Sequence, residues 1–315
     1  MSQTNGEQIH QSRIVKTLIA AQVLNGVGVA GTVAAGSLLV ASITDSETLA
    51  GLAQTFSVLG AAAMALPLAR LTNRGGRRLA LSAGLITGLI GSLFAIVGGS
   101  TENIVLMLMG SFLVGAASAS GYQARFAAID LATEDNRAKQ LSLVVWGSTI
   151  GAVTGPNLME PSGRIAESFG LPSLVGPYIV SAVTLGLAAL VIFLFLRPDP
   201  YLTANKDAHA AGIVIKKSFK ETFSYIKSHS AAHFAIYSIA IGHLVMVAVM
   251  VMTPVHMKHV DVTLQVIGLV ISIHVLGMYA FSPIVGYFTD KLGRIAVIQI
   301  GVALLLISTV VSGTA

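Results

Sequence analysis

Ala69-Arg70-Leu71-Thr72-Asn73-Arg74-Gly75-Gly76-Arg77-Arg78 and Gly286-Tyr287-Phe288-Thr289-Asp290-Lys291-Leu292-Gly293-Arg294 are two versions of one basic loop, 217 positions apart from Gly76 to Gly293. Each lies between long apolar runs. A polar turn that recurs between membrane-length helices marks a duplicated membrane fold, and such folds are mostly those of transporters. Composition agrees that lipid is the solvent. Only 10% of residues are charged and the mean hydropathy is +0.79, too little charge to cover a soluble domain. The apolar residues form continuous runs rather than amphipathic stripes. There is no cysteine, hence neither a disulfide framework nor a thiolate metal site.

A spanning helix needs about 20 apolar residues. Nine segments qualify: 15–42, 48–71, 79–99, 103–129, 140–160, 173–196, 233–255, 263–288 and 294–313. The first is too long for the core of a cleaved signal peptide and reads as a retained helix. Connectors are short except 197–232, which is polar and basic and begins Arg197-Pro198-Asp199-Pro200; its prolines end the sixth helix. The expected organisation is a six-span bundle over 1–196, a central linker over 197–232 and three further spans over 233–315. With the N-terminus inside, 16 of the 19 Lys and Arg fall in inner segments and only Arg164 and Lys258 in outer loops. That asymmetry sets a cytoplasmic N-terminus in a cell membrane. It also assigns the net charge of +5 to topology rather than to nucleic acid. Six spans plus three reads as an all-α membrane protein with a second, incomplete six-helix repeat, truncated after the ninth span.

These motifs resemble the major facilitator superfamily over nearly the whole chain. The family's loop between spans two and three, Gly-x-x-x-Asp-(Arg/Lys)-x-Gly-Arg-(Lys/Arg), recurs between eight and nine. The second copy keeps Gly286, Asp290, Lys291, Gly293 and Arg294. The first keeps Arg74, Gly76, Arg77 and Arg78 but has Ala69 and Asn73 in place of Gly and Asp. Glycine permits a tight reversal, Asn73 is a candidate cap for the following helix, and the arginines suit an anionic inner leaflet. The resemblance implies that this loop gates the transporter, locking its halves through charged helix ends, and Asp130 stands where such a partner would sit. Fixing topology is the plainer role for the same charges. In the fifth span, Gly147, Gly151, Gly155 and Pro156 resemble the antiporter motif of drug–proton exporters, although Met159 and Glu160 replace its trailing glycines. A small-residue packing seam explains the same spacing.

Ionisable groups inside a bilayer cost about 2.5–3.5 kcal/mol at its centre. Here they are Arg125, His243 and His274. Arg125 precedes Asp130 by about 7.5 Å of helix rise, so it either faces the transport path or snorkels inward. His274, near the middle of the eighth span, is the leading proton-coupling candidate, with His243 second; a histidine bonded to a neighbouring helix is the plain reading of each. Gln22 and Asn25 share a face of the first span and, with Gln54, are candidates to line a cavity. Trp146, the only tryptophan, is a candidate to stack on substrate, or is lipid-facing bulk.

The chain lacks paired carboxylates, metal-ligand spacing and a phosphate-binding loop, so an enzyme, a metal and a cofactor are not expected. The expected function is proton-coupled export of small amphipathic molecules by alternating access across the lipid bilayer. The alternatives are a nutrient importer on the same fold and a non-transporting fragment.

Overall fold

The computed structural model describes residues 2–133, 137–206, 219–281, 284–285, 288 and 291–314, and among these it is helical without strands. The first six spans correspond to α1 (Ser2–Thr44), α2 (Leu52–Ser100), α3 (Ile104–Ala127), α4 (Arg137–Asn157) and α6 (Gly176–Phe195), with a short α5 (Met159–Ser168) between the last two. Then follow α7 (Pro200–Ala204), α8 (Phe219–Ser228), α9 (Ser230–His259), α10 (Leu264–Ala280) and α11 (Arg294–Thr314).

The element α2 is two spans. It runs helically to Gly75, breaks at Gly76, where φ is 82° and ψ 175°, and resumes at Arg77. The expected connector over 72–78 therefore shrinks to one non-helical residue. Only glycine occupies that backbone region without strain. Gly293, its counterpart in the second loop, has φ 85°, so the repeat seen in sequence recurs as backbone geometry. The opposite turns repeat as well: Asp45 after α1 and Asp261 after α9 have φ 49° and 58°. Gly286 and Asp290 lie outside the described residues.

Among the described residues, Gln11–Thr44, Glu47–Ser100, Ile104–Ala127, Ser173–Ala204, Ser230–His259 and Ile295–Gly313 are long and apolar enough to cross a membrane. The helix α10 is apolar but shorter, and α4 carries a basic first turn. Local chemistry sets the starts. Asn103 caps α3 by accepting from the amides of Val105 and Leu106, both at 3.1 Å. Thr263 caps α10.

Two apolar cores stack along the helix axes. One, at the end carrying Gly76 and Asp130 (the arginine end), includes Ile14, Leu18, Leu85, Val144, Leu185 and Leu196 and, among the described residues, draws only on the first six spans and the Leu131 and Leu196 turns beside them. The other, at the far end, joins Leu38, Met107, Met159 and Tyr178 to Val255, Ile267 and Ile271 of α9 and α10. The two groups of spans thus meet in apolar contact at the far end.

Candidate functional site

A cavity of about 740 Å3 lies between α1, both arms of α2, α3 and α4 on one side and α9 and α10 on the other. Gln22, Asn25 and Gln54 line it, as do Ser57, Tyr122, Gln123, Arg125 and His243; Val29, Phe126, Met246 and Met250 supply apolar wall. It reaches the arginine end at Ala69, Arg77 and Phe126.

Gln22 donates to the Ser148 hydroxyl at 2.9 Å. Asn25 is buried and its Oδ1 has no partner. Gln123 donates to the Ala65 carbonyl and accepts from Thr72, both at 3.3 Å, tying α3 to α2. Arg125 lies over the Tyr122 ring at 5.2 Å, and its buried Nε has no hydrogen-bond partner. His243 is on the cavity wall. His274, the first candidate for proton coupling, is not among the lining residues; its Nε2 is buried and unpartnered. Trp146 is 54% exposed and also off the wall. Depth along a helix is readable from a run length, while the direction a side chain faces is not, so sequence alone could not separate the two histidines by their place on the wall.

At the arginine end, Arg77 holds Asp130 through two bonds, Nε to Oδ2 at 2.8 Å and Nη2 to Oδ1 at 3.2 Å. Both residues belong to the first four spans, so this pair ties α2 to the turn after α3 rather than tying one half to the other. Asn73 does not cap the following helix. Its Oδ1 accepts from the Tyr201 hydroxyl at 2.9 Å. The cap comes from Asp199, whose Oδ2 accepts from the Arg78 amide at 2.8 Å while Oδ1 accepts from Tyr201 and Leu202 at the start of α7. One carboxylate therefore caps two helix starts, and a Cβ on Gly76 would collide with it. Arg78 stacks over Phe193 and Arg77 over Tyr201; Arg74 is exposed. Sequence reasoning read Arg197-Pro198-Asp199-Pro200 only as a helix stop. The missed signal was an Asp directly before a proline, the signature of an N-cap followed by proline at the first helical position.

The glycines of α4 face α1. A Cβ on Gly151 would lie 2.8 Å from the Val27 nitrogen, one on Gly155 2.9 Å from the Gly31 nitrogen, and one on Gly147 3.1 Å from Ile19. Pro156 faces the other group of spans, its carbonyl against Gly268. Beside it Asn157 donates to Ser272 at 2.6 Å, and Ser272 donates to the Val153 carbonyl at 2.8 Å. His259 meets Glu47 at 2.9 Å at the same far end. Lys291 and Gly293 lie at the turn before α11, and Arg294 begins that helix.

A helical membrane protein with a polar-spotted cavity between two groups of spans is the class that fold and site define. The major facilitator superfamily model matches residues 18–314, and the chain belongs to that family. It is 35% identical over 287 residues to the uncharacterized MFS-type transporter YddS of Bacillus subtilis and 37% over 286 residues to YdeG of the same organism, in both cases over 90% of this chain. It is 26% identical over 306 residues to the riboflavin transporter RfnT of Brucella anthropi, covering 95% of this chain and 72% of that protein. The chain spans 65% and 66% of the two Bacillus proteins. These relatives are named as transporters, not as enzymes.

Proposed function

We propose that the whole protein is a secondary transporter that exports a small amphipathic molecule in exchange for protons by alternating access. The observation that carries this reading is the asymmetry of contacts around the cavity. Glu47–His259, Asn157–Ser272 and the Pro156–Gly268 packing join the two groups of spans at the far end. Among the described residues, the core at the arginine end draws on the first group alone. With the N-terminus in the cytoplasm, as the Lys and Arg distribution favours, this is an inward-open arrangement in a cell membrane. Rocking of 1–196 against 233–315, with 197–232 as linker, would open the far end instead.

His243 is the first proton site in this reading because it lines the cavity; His274 is the second. In inverted vesicles with an imposed pH gradient, His243→Gln should abolish gradient-driven accumulation while leaving counterflow, which needs binding and rocking only. Retained accumulation in that variant, with loss in His274→Gln, would return the role to His274. The riboflavin transporter among the relatives favours one second reading, import of a nutrient of that kind. Uptake of riboflavin into right-side-out cells, without efflux from inverted vesicles, would select it.

A further inference from the structure

We infer that the cavity takes its cargo as an amphipathic organic anion, with the negative group on Arg125 and a hydrogen-bond donor of the same molecule on Asn25; this rests on the transport reading above. Among the described residues the charged or titratable side chains on the wall, tyrosines aside, are Arg77, Arg125 and His243, and no Asp or Glu is there. Arg77 already has its carboxylate, since both Asp130 oxygens are engaged by it. Asp130 pairs with Arg77 and not with Arg125. Arg125 is left with a ring face and an orphan Nε. A buried guanidinium N–H without an acceptor is costly, and an anion that accepts from it forms a charge-assisted bond of the stronger kind.

The second half of the site follows from Gly121. A Cβ there would lie 2.6 Å from Asn25 Nδ2 and 3.2 Å from Gln22 Oε1, so both amides sit against that glycine. Gly121 and Arg125 are four residues apart on one face of α3, about 6 Å along its axis. The Asn25 amide, packed on Gly121, and the Arg125 backbone position are therefore one helical turn apart along α3, and the side chains carrying the orphan acceptor Asn25 Oδ1 and the orphan donor Arg125 Nε both line the cavity. Their complement is an anionic group with an N–H or O–H nearby, on an apolar body that fits Val29, Phe126, Met246 and Met250. A cationic molecule finds no carboxylate here and meets Arg125.

The test uses the full-length protein in phosphatidylcholine nanodiscs with three probes on one aromatic body: 7-hydroxy-2-naphthoate, whose hydroxyl is too far from the carboxylate to bond to it, its carboxamide and the corresponding aminomethyl cation. The carboxylate should raise the thermal midpoint saturably, the amide weakly and the cation not at all. Arg125→Gln should weaken carboxylate binding roughly tenfold or more, a loss within the range of one charge-assisted bond. Arg125→Lys should restore part of it, which separates charge from misfolding. Asn25→Leu should reduce the preference for the hydroxylated probe over 2-naphthoate. Equal carboxylate binding by Arg125→Gln, preference for the cation, or no protection by the carboxylate would overturn the inference. So would loss of protection when phosphatidylglycerol is added, which would assign Arg125 to a lipid headgroup. Transport of the probes in proteoliposomes is read separately. Arg125-dependent binding without transport would sink the transport reading and leave the anion site. Transport of the cation independent of Arg125 would do the reverse.

Discussion

Gly76 and Asp199 show how much rests on single residues at the arginine end. Gly76 lies in a backbone region that costs other residues about 1–3 kcal/mol, and its missing side chain makes room for the Asp199 carboxylate. Gly76→Ala should therefore lower the thermal midpoint in detergent more than Gly75→Ala does. Asp199→Ala removes the acceptor from two helix starts, each cap being worth about 0.5–2 kcal/mol. Asp199→Asn keeps one acceptor oxygen and should lose about half as much. A midpoint unchanged in Asp199→Ala would show that the linker docks without this cap. The Arg77–Asp130 pair is largely buried, so either single alanine variant strands a charge. The double variant should be closer to wild type in stability than either single one; additive losses would deny the coupling.

Among elements, α4 acts as a shared wall. Its glycine face sits on the backbone of α1, and its proline end on α10. Gly151→Val would press a branched side chain into the Val23–Val27 backbone, an overpacking of about 1–3 kcal/mol or more. It should reduce the monodisperse yield, whereas Val153→Ala on the same helix should not. Ser272→Ala acts differently, removing two hydrogen bonds between the groups of spans, each about 0.5–1.5 kcal/mol. It should leave yield intact and raise labelling, from outside the cell, of a cysteine placed at Val33 on the cavity wall. Unchanged labelling would mean that apolar packing alone closes the far end.

For the whole molecule, the issue is whether the far end opens as one unit. The Glu47–His259 pair is exposed, so its contribution to stability is at most about 1 kcal/mol. As a position marker it is more useful. Cysteines at 47 and 259 joined by a short reducible cross-linker should stop transport, and reduction should restore it. Transport through the cross-linked protein would rule out rocking about this contact. Orientation has its own measurement: a cysteine at Thr203, in α7, should label only in permeabilised cells if the arginine end is cytoplasmic.

Run length alone determined the succession of helices, because a bilayer leaves the backbone no other way to satisfy its polar groups. The repeat was equally legible, since a left-handed turn needs glycine locally; Gly76 and Gly293 confirm it with φ of 82° and 85°. Gln22 and Asn25 share a face by helix geometry alone, being three residues apart, and both line the cavity. What only the tertiary structure decided was which face meets the cavity. Spanning helices are apolar on every side, so no periodicity separates lipid from neighbour; that His243 lines the cavity while His274 and Trp146 do not is a fact of packing alone. The same holds for Asp199: its bond to the Arg78 amide joins positions 121 residues apart, and contacts at that separation are set by how the helices pack, not by any local pattern.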